Sequence, residues 1–382
     1  MPDKSIKNAG RVVFNGRFLC QPQTGVQRYA RETLLAMDAL LGDLDPGRAA
    51  ALDVTLATPA GAQELPLKHI RTVMLDTGGT GHRWEQTTLA WYARNAFLVG
   101  LSYSGPVFKR RQMITVHDAT VAVVPQCFSR KYRWLHNTLL RLLRGRVDSV
   151  MTVSEFSRAE IARHFGIHRR VTVGREGWEH ALARSDDREV LARHGLEAGN
   201  YLLLVGSLKA NKNLGIVSKA LAQLPAYPFQ IAVAGATDRR VFDYDEALPE
   251  LIKLLGFIDD EALGVLYRHA AWFILPSVYE GFGLPAIEAM GNGCPVIAAD
   301  AASLPEVCGE AALYFDPHDP ASLAAVLKRV VEEPGLRAAQ VARHRPRLVH
   351  YRWRSNAEIL LGEIQRFLRA DTGASLLLAN PE

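Results

Sequence analysis

The chain has 382 residues, which is more than one hydrophobic core usually supports, so we expect two domains. With 48% hydrophobic and 22% charged residues, it has the composition of an ordinary soluble globular protein. No run approaches the roughly 18 apolar residues that a membrane-spanning helix needs. The four cysteines form no CxxC pair, which argues against a zinc site and a disulfide framework.

The first residues of the chain contain lysines but only a three-residue apolar run, 12–14, which is too short for the core of a signal peptide. Together with the dispersed cysteines, this predicts a protein of the reducing cytoplasm.

The net charge of +5 conceals an asymmetry between the two halves. Residues 1–186 contain 26 Lys and Arg against 16 Asp and Glu, or +10, whereas residues 187–382 contain 19 against 24, or −5. The basic excess is concentrated at 108–112 and 129–146, where arginines alternate with aromatic residues and leucines. This pattern suits a helix on an anionic membrane surface. The alternative is a core-packing helix with a solvated basic face. Nucleic-acid binding is disfavoured because no recognised nucleic-acid module accompanies the charge.

Short apolar runs alternate with amphipathic segments through both halves, which predicts parallel sheets with helical crossovers. The expected strands are 11–15, 52–58, 113–118, 149–154, 201–206, 229–235, 271–276 and 294–299. We therefore predict two doubly wound α/β domains, at 1–182 and 188–350, separated by the polar segment 181–200. Ligands bind at the carboxyl ends of parallel strands, so the cleft between the domains is the expected site.

Two acids, Glu280 and Glu288, flank a Gly-Phe-Gly turn that leads from a predicted strand into a helix beginning near Pro285. Backbone amides and the helix dipole at such a turn form an anion site, which phosphate commonly occupies. A carboxylate beside phosphate would repel it, so we assign Glu288 to paired hydroxyls such as those of a ribose, and Glu280 to hydroxyls of a sugar. The alternative is an ordinary strand-turn-helix with surface glutamates.

The segments EGFGLPAIEA (280–289) and GNGCPVIAADAASLPEVCGEAALYFDP (291–317) resemble the signature of the family 4 glycosyltransferases of GT-B fold. The resemblance covers most of the chain. Further matching segments are VGSLKANKNL (205–214), TVHDA (115–119), TVSEFSRAEI (152–161), QTGVQRYARE (23–32) and residues 254–277.

The resemblance implies that the protein binds a nucleoside diphosphate sugar. Glu288 would bind the ribose hydroxyls, Glu280 would contact the transferred sugar, and Lys212 would neutralise the diphosphate. The backbone amides that would hold the sugar and the distal phosphate belong to Gly281, Phe282, Gly283 and Leu284.

The sequence departs from the family pattern at Ser207, where an arginine is common, and Lys209 is the candidate to compensate. The nucleotide base would lie near Phe257 and Ile258 and be read largely by main-chain groups, so the base stays unidentified.

From the first domain, His117 matches the family histidine that faces the donor sugar, with Asp118 as a candidate to orient it. A histidine that ends a buried strand is otherwise more often a satisfied core residue. Gly25 would let the backbone approach the reaction centre. Residues 83–91 and 101–107 resemble a subgroup that works on bacterial surface polysaccharides.

The implied reaction transfers a hexosyl group, with mannose or a deoxyhexose favoured, and retains the anomeric configuration. His117, Glu280 and Lys212 are the catalytic candidates, and no residue stands out as a covalent nucleophile. The reaction would need no metal, so we interpret the acidic pair in DYD (243–245) as solvated. Residues 351–370 resemble the terminal helix that returns to the first domain.

The acceptor is expected to be a glycan, lipid-linked and at the inner face of the cytoplasmic membrane. Two alternatives remain at this point: a sugar-nucleotide epimerase of the same fold, and a non-catalytic nucleotide-sugar-binding subunit. An NAD-dependent enzyme is disfavoured because no GxGxxG motif follows the first strand of either half.

Overall fold

The computed structural model describes residues 10–77, 79–206, 209–224, 227–235 and 252–372. Its described strands form two separate parallel sheets, each covered by helices. Within these residues, no helix combines the length and the apolar character that crossing a bilayer requires.

The first domain is built around one sheet. Its strands are β1 (Gly10–Asn15), β2 (Leu52–Thr58), β3 (Arg71–Met74), β4 (Phe97–Gly100), β5 (Gln112–Thr115), β6 (Ser149–Thr152) and β7 (Val171–Val173). The order across the sheet is β3-β2-β1-β4-β5-β6-β7, and all described pairs are parallel. The order reverses between β1 and β4, so a crevice opens there at the carboxyl edge.

Helices connect these strands. They are α1 (Gly25–Gly42), α2 (Pro46–Ala50), α3 (His82–Trp84), α4 (Ala90–Tyr92), α5 (Thr120–Val123), α6 (Arg130–Leu143) and α7 (Glu155–Phe165). A π-helical turn, Glu85–Leu89, joins α3 to α4. The N-terminus of α7 is capped by the Ser154 hydroxyl, which accepts a hydrogen bond from the Ser157 amide at 2.9 Å.

The second domain repeats the plan. Its strands are β8 (Tyr201–Val205), β9 (Gln230–Ala234), β10 (Ile252–Gly256), β11 (Trp272–Leu275), β12 (Val296–Ala299) and β13 (Ala312–Phe315), in the order β10-β9-β8-β11-β12-β13. Its helices are α8 (Glu189–Arg193), α9 (Gly215–Leu221), α10 (Asp260–His269), α11 (Leu284–Gly291), α12 (Leu304–Cys308), α13 (Pro320–Glu332), α14 (Leu336–Ala342) and α15 (His344–Leu348).

The last described helix, α16 (Trp353–Thr372), packs on the first domain. Its Asn356 amide donates to the Thr33 hydroxyl of α1 at 2.9 Å, and its Phe367 ring stacks on Phe97 of β4 with centroids 5.3 Å apart. The chain therefore crosses between the domains twice, once after β7 and once before α16.

The predicted α/β class and the predicted parallel sheets are confirmed, and each of the eight expected strands is present. Several strands were missed: β3, β4, β7, β10 and β13. They are three to five residues long. A run this short carries too little periodicity to be distinguished from a loop, and only pairing with its neighbours makes it a strand.

Acid should destabilise the fold through His136, whose two ring nitrogens are buried without a partner among the described residues. Burial lowers its pKa from the ordinary 6.5 to about 4. Below pH 6.5 the unfolded chain therefore takes up a proton on His136, whereas the folded chain keeps the ring neutral until about pH 4. The free energy of unfolding is thus highest above pH 6.5 and falls as the pH drops toward 4. Between pH 7 and pH 5 the free energy of unfolding should decrease by about 1–2 kcal/mol through this residue.

The variant His136→Phe keeps an aromatic ring beside Tyr103 and Tyr132 but does not titrate. Urea unfolding midpoints at pH 7 and pH 5 should therefore differ less for the variant than for the wild type. An equal acid shift in both proteins would contradict this account.

Candidate active site

The loop that follows β11 carries Glu280 into the space between the domains. Gly283 has φ +97° at the N-cap of α11, a left-handed conformation that favours glycine, and a Cβ there would lie 2.5 Å from the Leu304 side chain. The Glu280 carboxylate is 2.5 Å from the ammonium of Lys212, and both side chains are mostly buried. The site therefore holds a compact ion pair beside the start of a helix.

Lys212 reaches this position because its own turn is bonded to the acid loop. It ends a 3₁₀ turn, Ala210–Lys212, that follows β8. The side-chain amide of Asn211 donates to the Tyr279 carbonyl at 3.1 Å, and the Asn211 carbonyl accepts from the Val278 amide at 2.9 Å. Two loops at the carboxyl edge of the second sheet are thereby fixed side by side.

Glu288 lies within α11 and is 7% exposed. Its Oε1 is 2.9 Å from Nε2 of His180, and its Oε2 accepts a hydrogen bond from the Tyr267 hydroxyl at 3.1 Å. The carboxylate is thus held on both oxygens by the chain itself.

His117 follows β5 of the first domain and is buried. Its Nε2 is 3.2 Å from the Leu101 carbonyl, which can only accept, so Nε2 carries the ring proton and Nδ1 is left as an acceptor. Tyr29 packs edge-on against the ring, with centroids 4.7 Å apart. Burial lowers the pKa of His117 to about 4, so the ring is neutral at pH 7.

The expectation that Asp118 orients His117 is wrong. The Asp118 carboxylate accepts instead from the Thr120 amide at 2.9 Å, and the Leu101 carbonyl orients the histidine. Thr120 lies two residues after Asp118, and an aspartate side chain commonly accepts a hydrogen bond from the backbone amide two residues along the chain.

The two domains meet at Gly281. Its carbonyl accepts hydrogen bonds from the hydroxyls of Ser154, at 2.5 Å, and Ser157, at 2.8 Å, both on the first domain. A Cβ placed on Gly281 would lie 2.7 Å from the His117 carbonyl oxygen. The absence of a side chain therefore lets the acid loop touch the histidine loop.

A second contact reinforces this meeting. The Glu306 carboxylate of α12 accepts from the backbone amides of Glu155 and Phe156, each at 2.9 Å. These amides open α7, where a negative charge is favoured by the helix dipole. An acid of the second domain thus caps a helix of the first.

Comparison with known proteins places the chain in a family. Residues 186–346 match the model described as glycosyl transferases group 1. An O-antigen chain mannosyltransferase B of Escherichia coli is 31% identical over 269 residues, covering 66% of this chain and 70% of that protein. The chain belongs to the group 1 glycosyltransferases.

Two further similarities agree with this assignment. An O-antigen chain mannosyltransferase of Salmonella typhimurium is 29% identical, over 59% of this chain and 62% of that protein. The solved sucrose-phosphate synthase of Thermosynechococcus elongatus superposes with a TM-score of 0.72 at 21% identity, over 95% of this chain and all of that one. The glycosyltransferase therefore has the GT-B fold, and the epimerase alternative is not favoured.

The remaining predicted residues of the glycosyltransferase occupy varied positions. Gly25 is exposed at the first turn of α1, where a Cβ would meet nothing within 4 Å. Lys209 reaches across to the first domain, where its ammonium lies 5.0 Å from the Phe128 ring centroid. Ser207 and the DYD segment (243–245) fall outside the described residues.

The other donor-side predictions divide between exposed and buried side chains. Phe257 is 88% exposed after β10, next to the half-buried Ile258. Phe282 is buried with its ring edge-on to Tyr351, and Leu284 is buried at the start of α11. The side chains of Phe282 and Leu284 therefore pack in the protein interior.

Sequence reasoning missed Glu176 and His180, which lie in the first crossing between the domains. Glu176 is 5% exposed. Burial and the nearby carboxylates of Glu288, Glu280 and Asp118 hold the pKa of Glu176 well above its ordinary value. A glutamate and a histidine spaced along an irregular segment, VGREGWEH (173–180), give no local signal of a site.

The segments 83–91 and 101–107 converge on one buried carboxylate at the carboxyl edge of the first sheet. Glu85, on the π-helical turn, accepts from Arg17 at 2.9 Å, from the Ser104 hydroxyl at 2.8 Å and from the Asn15 amide at 3.1 Å. The network lies beside the crevice between β1 and β4. Because its members bond to one another, it fixes the wall of that crevice.

Adding a methyl group at Gly281 should impair transfer by separating the two domains. The backbone of Gly281 has no positive φ, so alanine fits the loop, and the conflict is with the His117 carbonyl and the Asp118 side chain across the gap. We expect Gly281→Ala to lower kcat/KM for glycosyl transfer on the order of 100-fold.

The matched control is Gly362→Ala on the exposed side of α16, where a Cβ meets nothing within 4 Å. It should retain full transfer activity and the unfolding temperature of the wild type, whereas Gly281→Ala should stay folded but unfold at a lower temperature, because its Cβ meets a backbone oxygen. Undiminished kcat/KM in Gly281→Ala would show that this contact is not needed for turnover.

Proposed function

We propose that the protein is a retaining mannosyltransferase that moves mannose from a nucleoside diphosphate to a glycan acceptor during surface polysaccharide synthesis. Sugar and pathway rest on the relatives, which are O-antigen chain mannosyltransferases. The observation that carries the donor assignment is the Lys212–Glu280 pair beside the N-terminus of α11 and across from His117.

The pair supplies both kinds of group that a nucleotide sugar needs. The Lys212 ammonium, with the amides that open α11, offers positive charge to a diphosphate. The Glu280 carboxylate offers acceptors to sugar hydroxyls. Since these groups balance charge on the leaving diphosphate, we propose that transfer is independent of a metal ion.

His117 would accept a hydroxyl of the donor sugar through Nδ1, since Nε2 is engaged by Leu101. A neutral ring suits this task, because an imidazolium has no acceptor and would oppose positive charge developing at the anomeric carbon. The bond from that carbon to the diphosphate oxygen breaks, the bond to the acceptor oxygen forms on the same face, and the acceptor proton passes to the leaving diphosphate.

Product analysis tests this assignment. With GDP-mannose, UDP-sugar and dTDP-sugar as donors, we expect transfer to the acceptor from GDP-mannose alone, and the product should carry an α-linked mannose. His117→Ala should lower kcat on the order of 100-fold with a smaller change in nucleotide affinity. Glu288→Ala should chiefly lower donor affinity.

Other outcomes have distinct meanings. An epimerised donor would indicate the epimerase alternative, and nucleotide binding without turnover would indicate a binding subunit. A transfer rate unchanged in His117→Ala would remove His117 from the reaction.

The acceptor is proposed to be lipid-linked and reached at an anionic membrane surface through α6. This helix buries His136, Leu140 and Leu143 against the first domain. Its outer face keeps Trp134 69% exposed and Leu142 41% exposed, with Lys131 and Arg141 beside them. One face of the helix thus packs against the core of the first domain, and the other face is an exposed aromatic and basic surface, as in interfacial helices.

Flotation with vesicles tests the membrane contact. The wild type should float with phosphatidylglycerol vesicles and much less with neutral phosphatidylcholine vesicles. The double variant Trp134→Ser, Arg141→Gln should bind anionic vesicles about tenfold more weakly, because it loses one interfacial ring and one charge.

Arg345→Gln removes an equal charge from the exposed surface of α15 and should float like the wild type. Indifference of the wild type to lipid charge would refute the membrane proposal while leaving the donor assignment untouched.

A further inference from the structure

The carboxylate of Glu288 is only partly used by its protein partners. Nε2 of His180 contacts Oε1 at 2.9 Å, and the Tyr267 hydroxyl contacts Oε2 at 3.1 Å. A carboxylate offers about four lone-pair positions, two on each oxygen. One protein contact on each oxygen therefore fixes the plane of the group and leaves one acceptor position on each oxygen. That is the arrangement that two adjacent hydroxyls require.

The proton that His180 shares with Glu288 is placed by a third residue. The indole nitrogen of Trp353 lies 3.0 Å from Nδ1 of His180. An indole N–H can only donate, so Nδ1 accepts and the ring proton stands on Nε2, which faces Glu288. The His180 side chain is 5% exposed, so little water competes for either nitrogen.

Both partners lie where the chain crosses between the domains. His180 belongs to the 3₁₀ turn Glu179–Ala181 after β7, and Trp353 opens α16. The first crossing is packed tightly on α11, since a Cβ on Gly291 would lie 2.2 Å from the Trp178 ring. Glu288, His180 and Trp353 thus form one buried chain of hydrogen bonds from the second domain to the returning helix.

We infer that His180 is a positioning residue for the donor, which holds the Glu288 carboxylate so that its free acceptor positions receive the two ribose hydroxyls of the nucleotide. This inference rests on the proposed function, because it takes Glu288 as the ribose contact. His180 acts through Glu288 and touches no reacting atom, so its loss weakens donor recognition more than chemistry.

The decisive comparison is between GDP and 2′-deoxy-GDP, because a structural defect would weaken both equally. By calorimetry, the wild type should bind GDP about tenfold more tightly than 2′-deoxy-GDP, since one hydroxyl contact to a carboxylate is lost. His180→Leu removes the donor at similar volume and should erase most of this ratio while binding 2′-deoxy-GDP about as the wild type does. In turnover, donor KM should rise on the order of tenfold with kcat changing less than about threefold.

The conservative variant provides the rescue. His180→Gln restores an N–H donor near the position of Nε2 and should recover most of the preference for GDP. Trp353→Phe keeps an aromatic ring but removes the N–H that donates to Nδ1 of His180, so the ring proton of His180 is no longer fixed on Nε2. This variant should lose part of the preference for GDP over 2′-deoxy-GDP. It also decides the matter if His180→Leu fails to fold, because an unchanged ratio in Trp353→Phe overturns the inference.

The failures are distinguishable through Glu288→Ala. If Glu288→Ala loses the preference for GDP but His180→Leu keeps it, His180 has no positioning role and the proposed function stands. If Glu288→Ala also keeps the preference, or the wild type prefers dTDP, the ribose assignment of Glu288 fails and the inference falls with it.

Discussion

The arrangement of the site depends on one close backbone approach, at Gly281. Its carbonyl takes hydrogen bonds from two serines of the other domain, and the His117 carbonyl lies where a side chain would otherwise stand. Only a residue without Cβ permits this distance. Because the same loop carries Glu280 and leads into α11, the contact between the two domains also sets where Glu280 and the start of α11 lie relative to His117.

The closed crevice concentrates negative charge. Glu280, Glu288 and Asp118 surround Glu176, whose pKa is raised by burial and by these neighbours. The Lys212 ammonium directly balances the charge of one of these carboxylates, that of Glu280. Such a cluster is unfavourable for stability on its own, and it is the kind of local conflict that proteins tolerate at functional sites.

Much of the fold could be predicted because the information is local. Runs such as YLLLV at β8 are apolar on both faces, which requires a sheet covered on both sides. The acid-glycine-acid segment pointed to Glu280 and Glu288 as candidates for the same reason, since strand, turn and helix follow one another in sequence. The structure sets Lys212 against Glu280, although their sequence separation gives no geometric hint of the 2.5 Å contact.

What the sequence determined by itself was therefore the class of the two sheets, the places where their strands end, and the residue types gathered at those ends. The tertiary structure decided which side chains face one another. Leu101 rather than Asp118 orients His117, His180 and Trp353 reach Glu288, and Glu306 caps α7. The physical reason is that hydrophobic periodicity reports only whether a residue is buried, whereas a hydrogen bond between distant segments depends on how two separately folded domains are packed together.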